Sequence, residues 1–267
     1  MIGRQPRAGR VEKNGFRWRG TEVSRLEALS DAVFGFAITL LVVTLEPPRT
    51  YAELVDALRG FGTFAACFAL LFLVWLNQYR WFRRYGMEDG ITVLLNALLL
   101  FVIVFFIYPL RFVFGLVMGQ LMGSGYSVRM PDGSMAPIFT ATGQGAGMML
   151  IFGAGYVAVF VLFALMYWHA YARRDELELD EVERYETRDN LREILLNVAV
   201  AIASMIVAVW VSSQLAGLVY MAIAPVMTIH GFISGAGRKR LDQRLAAERA
   251  ASADHAAATG TGAAPQR

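Results

Sequence analysis

The stretch that decides the fold is RLEALSDAVFGFAITLLVVTLEPP, residues 25–48. Directly before its apolar run stand three polar residues: Arg25, Ser30 and Asp31. The apolar run from Ala32 to Leu45 covers roughly 21 Å of helix, at about 1.5 Å per residue, whereas the hydrocarbon layer of a bilayer is about 30 Å thick. A helix this short is a poor lipid-facing span. We therefore expect it inside a bundle, where protein or water covers its polar ends.

The rest of the chain has the composition of a membrane protein. Of its 267 residues, 56% are hydrophobic and 18% are charged, which is too apolar for a soluble domain of this length. The apolar residues form continuous blocks, which predict helices rather than the alternating strands of a barrel. The expected fold class is all-α, a polytopic membrane bundle of six transmembrane helices. The six spans run from about Ser30 to Leu45, Gly60 to Tyr79, Ile91 to Val117, Gly143 to Ala170, Leu195 to Ser213 and Leu215 to Ser234.

The basic residues predict the orientation of these spans. With six spans, 21 of the 25 Lys and Arg residues fall on the side of the two termini. The positive-inside rule then places both termini in the cytoplasm of a multi-pass protein of the cell membrane. We expect a basic cytoplasmic segment at 1–24, the six-span domain at 25–240 and a low-complexity cytoplasmic tail at 241–267. Composition predicts that the tail is disordered from Ala246 and that the outer loop over 123–147 is flexible.

Several kinds of chemistry have no motif in this sequence. No Ser-His-Asp arrangement, Walker loop, dinucleotide glycine motif or metal-ligand cluster is present, so we expect no enzyme activity, cofactor, metal site or nucleic-acid partner. The span centres carry no Asp, Glu, Lys or Arg, which disfavours proton relays and voltage sensors. Cys67 is interpreted as a packing residue. His169 and His230 are each interpreted as isolated interfacial or packing residues.

Polar residues of the first three spans share roughly one membrane depth. On a helical wheel Asp31 lies opposite an apolar stripe formed by Leu29, Val33, Phe36, Leu40 and Val43. A polar group at this depth needs a hydrogen-bond partner. Ser30 and Asp31 could alternatively cap the first helix. The candidate network comprises Arg25, Ser30, Asp31, Trp75, Asn77, Gln78 and Asn96.

The opening stretch resembles the signature of the transmembrane protein 175 family of potassium channels. That signature is an arginine, three residues, then Phe-Ser-Asp, leading into an Ala/Ile/Thr/Leu-rich first span. Arg25, Ser30 and Asp31 match it, while Leu29 replaces the phenylalanine. The resemblance extends through VWLNQYRWFRRY to LLNALLLFVIVFFIYPLRF, and so covers residues 25 to about 112.

The resemblance implies a homotetramer around the first-span helices, with the lipid bilayer and K+ ions as its other partners. In that family, rings of bulky apolar side chains filter the pore. By position the rings here would be Phe36, Leu40 and Val43, with Thr39 as a polar layer. Phe36 replaces the family's usual isoleucine, and four phenylalanines would narrow the path.

Two other classes of protein remain as alternatives to a potassium-permeable channel. A secondary transporter of a small organic solute would carry polar or broken helices at the midplane and paired repeats, of which spans one, two and five show little. A non-conducting membrane scaffold would have a plugged centre, which a ring of Phe36 side chains would also provide.

Overall fold

The computed structural model describes residues 11–12, 15–20, 22–43, 49–121, 123, 127–129 and 134–260. This part of the chain is built from α-helices with one small pair of strands. A single 3-10 turn, Tyr220–Ala222, joins the last two helices. In chain order the elements are α1 (Arg25–Val43), α2 (Tyr51–Tyr85), α3 (Gly90–Leu121), β1 (Ser127–Arg129), β2 (Met135–Pro137), α4 (Gln144–Ala172), α5 (Glu181–Trp210), α6 (Ser213–Val219) and α7 (Ile223–Gly260).

Five helical segments of the described chain are long and apolar enough to cross a membrane. They match the second to sixth predicted spans, and the bundle is all-helical apart from the strand pair. The predicted first span corresponds to α1, while its last residues, Thr44 and Leu45, and the double proline lie outside the described residues. The five segments are Gly60–Tyr85, Gly90–Leu121, Gln144–Ala172, Glu181–Trp210 and Ser213–Ala253.

α1 begins before the polar residues that were candidates to cap it. The Ser24 hydroxyl accepts a hydrogen bond from the Glu27 amide at 3.1 Å, and the Glu27 carboxylate accepts one from the Ser24 amide at 2.9 Å. This reciprocal pair is a capping box. Ser30 and Asp31 lie in the second turn of the helix, so the interpretation of these two residues as caps is wrong.

One face of α1 packs against α2 and α3. Phe34, Ala37 and Leu41 on this face are at most 3% exposed. They share one apolar core with Cys67 of α2 and Leu99 of α3, both of which are fully buried. Burial of Cys67 agrees with its predicted packing role. The packing leaves the opposite face of α1 uncovered in the described chain.

α4 packs closely against α3 and α5 because two of its glycines lack side chains. A Cβ atom at Gly153 would collide with the side chain of Met205 on α5, and one at Gly155 would collide with the Phe106 ring on α3. Glycine at these two positions therefore allows close contact between the helices. Gly147, nearer the start of α4, has no neighbour in the described structure within contact distance of an added Cβ.

The outer loop between α3 and α4 contains a strand pair. Its composition predicts a flexible segment, but β1 and β2 pair antiparallel within it, with Val128 opposite Ala136. Hydrogen bonds between the strands thus order part of this loop.

The C-terminal tail is helical well beyond the last predicted span. α7 continues to Gly260, so the prediction of disorder is wrong for residues 246–260. Residues 261–267 lie outside the described residues. Alanine has the highest helix propensity, and the tail is rich in it. The ion pair Arg244–Glu248 (2.8 Å) has the i,i+4 spacing that further stabilises a helix.

Charged residues gather at one end of the bundle, which we call the charged end. It is formed by the start of α1, α3 and α5 and by the end of α2 and α4. Glu183, fully buried at the start of α5, accepts hydrogen bonds from Arg17 and Arg19 of the N-terminal segment. The residues that define the charged end are Glu27, Arg83, Arg84, Asp89, His169 and Glu183.

Candidate functional site on the first helix

The uncovered face of α1 is a continuous surface along the helix. Leu29, Phe36 and Val42 on it are 56%, 57% and 46% exposed. Gly35 and Thr39 are exposed as well. At 100° per residue, these positions lie opposite the buried face that contacts α2 and α3. The surface combines apolar side chains with the hydroxyl of Thr39 and the exposed backbone at Gly35.

The exposed face is rotated relative to the apolar stripe predicted from the helical wheel. Phe36 is on the exposed face, but Val33 and Leu40 are half-buried at its edge, and Thr39 lies near its centre. The side chain of Val43 lies outside the described residues. A helical wheel shows which residues share a stripe. The rotation of α1 about its own axis, and so the part of that stripe that is exposed, is set by the contacts of its buried face with α2 and α3.

Thr39 presents an oxygen atom on this face. Its hydroxyl donates a hydrogen bond to the Gly35 carbonyl at 2.9 Å. The donated proton satisfies the carbonyl, and the lone pairs of the hydroxyl oxygen stay available to a water molecule or a cation. Phe36, almost one turn earlier, presents an apolar ring on the same surface. A polar layer next to an apolar ring is therefore built into α1.

A buried polar chain joins α1, α3 and α2. The Asn96 amide donates to the Ser30 hydroxyl at 2.9 Å, and the Gln78 amide donates to the Asn96 carbonyl oxygen. Ser30 in turn donates to the Leu26 carbonyl at 2.8 Å. All three side chains are at most 2% exposed. Because a buried polar group without a partner is costly, this chain fixes the rotation of α1 against its neighbours.

Asp31 makes a separate contact at the edge of the exposed face. It accepts a hydrogen bond of 2.7 Å from the Trp75 indole of α2. Trp75 belongs to a row of aromatic rings along α2, in which neighbouring ring centroids are 5.3 to 6.1 Å apart. The carboxylate thus attaches α1 to this row. The α2 members of the row are Phe61, Phe64, Phe68, Phe72, Trp75 and Tyr79.

Two candidate residues lie apart from these contacts. Asn77 accepts a 3.4 Å hydrogen bond from the Tyr167 hydroxyl, so it joins α2 to α4 rather than to α1. The guanidinium of Arg25 is exposed, and it makes no ion pair with the residues that the structure describes. The structure therefore brings Ser30 together with Asn96, and Asp31 with Trp75, in two separate contacts.

A buried ion pair near the candidate site was missed from the sequence. Glu27 and Arg83 are joined at 2.6 Å, with side chains 9% and 7% exposed. Arg83 also donates to the Gly20 carbonyl at 2.9 Å, which ties the N-terminal segment to the start of α1. The Ser-x-x-Glu spacing at 24–27 signals the cap but not the arginine, which lies 56 residues away in the chain.

His169 and His230 are paired rather than isolated. His169 lies 3.0 Å from Asp89, and His230 lies 3.4 Å from Asp189. Burial alone would raise the pKa of Asp89, but hydrogen bonds from Thr92 and His169 lower it below its usual value. The first pair joins α4 to the residue before α3, and the second joins α7 to α5. Among the described residues, no group of three or more His, Cys, Asp or Glu side chains could hold a metal ion.

Comparison with known proteins places this geometry in context. Residues 25–106 match the model of the family described as endosomal/lysosomal potassium channel TMEM175. That range contains α1 and most of the contacts that α1 makes. The match therefore falls on the part of the chain that carries the candidate site.

Similar proteins extend the comparison to most of the chain. A potassium channel of Marivirga tractuosa is 33% identical over 235 residues, which are 85% of this chain and 94% of that protein. A potassium channel of Chamaesiphon minutus is 31% identical over 97 residues, covering 33% of this chain and 48% of that one. The crystal structure of a variant of the potassium channel MtTMEM175 superposes with a TM-score of 0.71 at 32% identity, covering 84% of this chain and 99% of that chain.

Proposed function

We propose that this chain, which belongs to the TMEM175 family of potassium channels, conducts K+ through a pore lined by the exposed face of α1. The chain is a multi-pass membrane protein of a family of ion channels, not of enzymes. The proposal adds to this the location of the pore, the residues of its constriction and a homotetrameric assembly.

The observation that carries the proposal is the uncovered face of α1. α1 packs on α2 and α3 with one side only, and the other side carries Asp31, Gly35 and Thr39 among its apolar residues. Facing lipid, these groups would meet a solvent that cannot hydrogen-bond to them. Facing the centre of an oligomer, they meet water and copies of themselves. A central position also removes the need for α1 to span the bilayer alone.

The constriction is assigned to the side chains of this face. Phe36 and Leu40 are one turn apart, so in a symmetric tetramer they form successive apolar rings, and Val43 continues the series. A narrow apolar ring gates by dewetting, because an ion cannot cross it without its hydration shell. Thr39 supplies a ring of hydroxyl oxygens between the Phe36 and Val43 levels. Such a site discriminates by size and hydration rather than by a filter of backbone carbonyls.

The charged end is assigned to the cytoplasm of a cell membrane. Most of the chain's basic residues belong to the segments that meet there, which is the arrangement that the positive-inside rule favours. The outer strand pair β1–β2 then lies on the opposite side of the membrane.

Flux into liposomes tests the pore assignment. Leu40→Asn places an amide in the apolar constriction, so we expect faster K+ entry and weaker discrimination between K+ and Na+. The matched control is Leu73→Asn on α2, whose leucine is 63% exposed and lies outside α1. We expect the control to match the wild type. Equal K+ flux from all three proteins would contradict the assignment of this face to the pore.

The same experiment separates the channel from its alternatives. An organic-solute transporter predicts K+ entry no faster than in protein-free liposomes unless a solute is present. A scaffold closed by Phe36 predicts no K+ flux in the wild type and none in Leu40→Asn, with flux appearing only when Phe36 is shortened.

A further inference from the structure

A cluster of arginine and aromatic side chains lies where α4 meets α5 at the charged end. The guanidinium carbons of Arg174 and Arg188 lie 5.2 and 5.0 Å from the centre of the Tyr171 ring. Arg188 also donates from Nε to the Tyr171 hydroxyl at 2.6 Å. One turn before Tyr171, Trp168 is 60% exposed. Two cations are thus held on one aromatic ring beside an exposed indole.

The cluster ends an apolar seam on the outside of the bundle. On α4, Val161, Leu165 and Trp168 are exposed at i, i+4 and i+7, so they form one stripe. On α5, the exposed residues Leu195, Ile202 and Ile206 form a second stripe, and Arg188 and Arg192 continue it towards the charged end. α4 and α5 are neighbouring antiparallel helices. An acyl chain lying along this seam would bring its headgroup to the arginines.

The positive charges of Arg174, Arg188 and Arg192 are not fully neutralised by the carboxylates that the structure describes. Among the described residues, Arg188 and Arg192 form no ion pair. Arg174 has a carboxylate partner in Asp175, at 3.7 Å, but Asp175 is held more closely by Arg184, at 2.9 Å. With its Nε bound to Tyr171, Arg188 keeps both of its terminal nitrogens for another acceptor. Stacking on the ring holds the guanidinium in place, which reduces the entropy lost on binding.

We propose that Arg174, Arg188 and Arg192 bind the phosphate headgroup of an anionic phospholipid of the cytoplasmic leaflet. Guanidinium groups recognise phosphate oxygens with paired hydrogen bonds, and exposed tryptophan favours the headgroup level of a membrane. The site lies on α4 and α5, which pack away from α1, so it does not depend on the pore assignment. It depends on the cytoplasmic placement of the charged end.

Native mass spectrometry of the purified protein tests the proposal. The protein is titrated with phosphatidylglycerol and, separately, with phosphatidylcholine of the same acyl chains. For Arg174→Gln/Arg188→Gln we expect phosphatidylglycerol affinity to fall about tenfold or more, since each arginine near an anionic surface contributes substantially to binding. The control, Arg240→Gln/Arg249→Gln, removes two exposed arginines from the tail of α7 and should bind like the wild type. Equal phosphatidylglycerol affinity of Arg174→Gln/Arg188→Gln and of the control variant would overturn the proposal.

A second arm distinguishes a lipid from a free anion. Inorganic phosphate at millimolar concentration should not displace phosphatidylglycerol, because it lacks the acyl chains that lie along the seam. Displacement by phosphate would overturn the lipid assignment in favour of a simple anion site. Equal affinity of the wild type for phosphatidylcholine would overturn the headgroup assignment.

Fluorescence quenching in vesicles keeps the test decisive if the double variant does not fold. Brominated phosphatidylglycerol should quench the Trp168 contribution, defined by difference from Trp168→Phe, more strongly than brominated phosphatidylcholine does. Tyr171→Phe loses the hydrogen bond from Arg188 but keeps the charges, and it should lie between wild type and the double variant in lipid affinity. Identical quenching by the two lipids would overturn the proposal.

Discussion

Asn96→Leu tests whether the buried polar chain holds α1 in place. Asn96 is fully buried and bridges Ser30 of α1 and Gln78 of α2. Leucine has a similar size, so it removes both hydrogen bonds without opening a large cavity. We expect a less stable protein whose helices are still formed.

The magnitude follows from the partners that the substitution leaves behind. Gln78 loses the acceptor of its amide in a site where it is 2% exposed, and an unpaired buried donor costs about 1–3 kcal/mol. Ser30 keeps its bond to Leu26 and loses one neutral hydrogen bond, worth about 0.6 kcal/mol between membrane helices. The expected loss is about 1.6–3.6 kcal/mol, which corresponds to a fall in Tm of roughly 3–14 °C for a chain of this size.

Thermal unfolding in detergent, followed by circular dichroism, measures this loss. The control is Asn190→Leu on α5, because the side chain of Asn190 donates to the Glu186 carbonyl of its own helix at 2.7 Å. Its removal orphans no side chain of another helix, so Tm should change by less than about 2 °C. An Asn96→Leu protein with the Tm of the wild type would refute the account of the polar chain.

Two further predictions concern single carboxylates. Asp31→Ala removes the acceptor of the Trp75 indole, so it should lower stability by about 1 kcal/mol and reduce the tetramer yield in native mass spectrometry. Asp31→Asn keeps an acceptor and should assemble normally. Equal stability and tetramer yield of the two variants would refute the role of this contact. The folded-state pKa of Asp89 is lowered, so its contribution is complete above its unfolded pKa of about 3.9 and is lost as the pH falls through the lower folded value. The Tm advantage of wild type over Asp89→Asn should therefore shrink as the pH falls from about 5 to below about 4. An advantage that grows over this acidification would contradict the sign.

The positions of the long helices could be predicted because lipid imposes one solution on apolar blocks. α3 and α4 begin and end within a few residues of their predicted spans, since length and hydrophobicity alone decide a span. The cap of α1 was misplaced because Ser30 and Asp31 stand nearer than Ser24 to the apolar run. The continuation of α7 was missed because alanine-rich composition suits both disorder and a helix.

The candidate site was less predictable because it depends on contacts that are distant in sequence. A shared membrane depth was enough to bring Ser30 and Asn96 into one hypothesis, but depth cannot decide which way a side chain turns. Asn77 therefore faces α4, against expectation. Asp89, the partner of His169, lies just before α3, and Arg83, the partner of Glu27, lies on α2, so no local spacing indicates either pair. The outward rotation of Thr39 likewise follows from packing of the opposite face.

Block by silver ions tests most directly whether the exposed face of α1 lines the K+ path. Ag+ is a small monovalent cation that bonds irreversibly to thiols. In a Cys67→Ala background, Thr39→Cys is compared with Phe105→Cys, whose position on α3 is 70% exposed and lies at a similar distance of about 20 Å from the charged end. The account predicts that Ag+ abolishes K+ flux through Thr39→Cys and leaves Phe105→Cys unaffected. Unchanged flux through Thr39→Cys, or equal block of both variants, would contradict it.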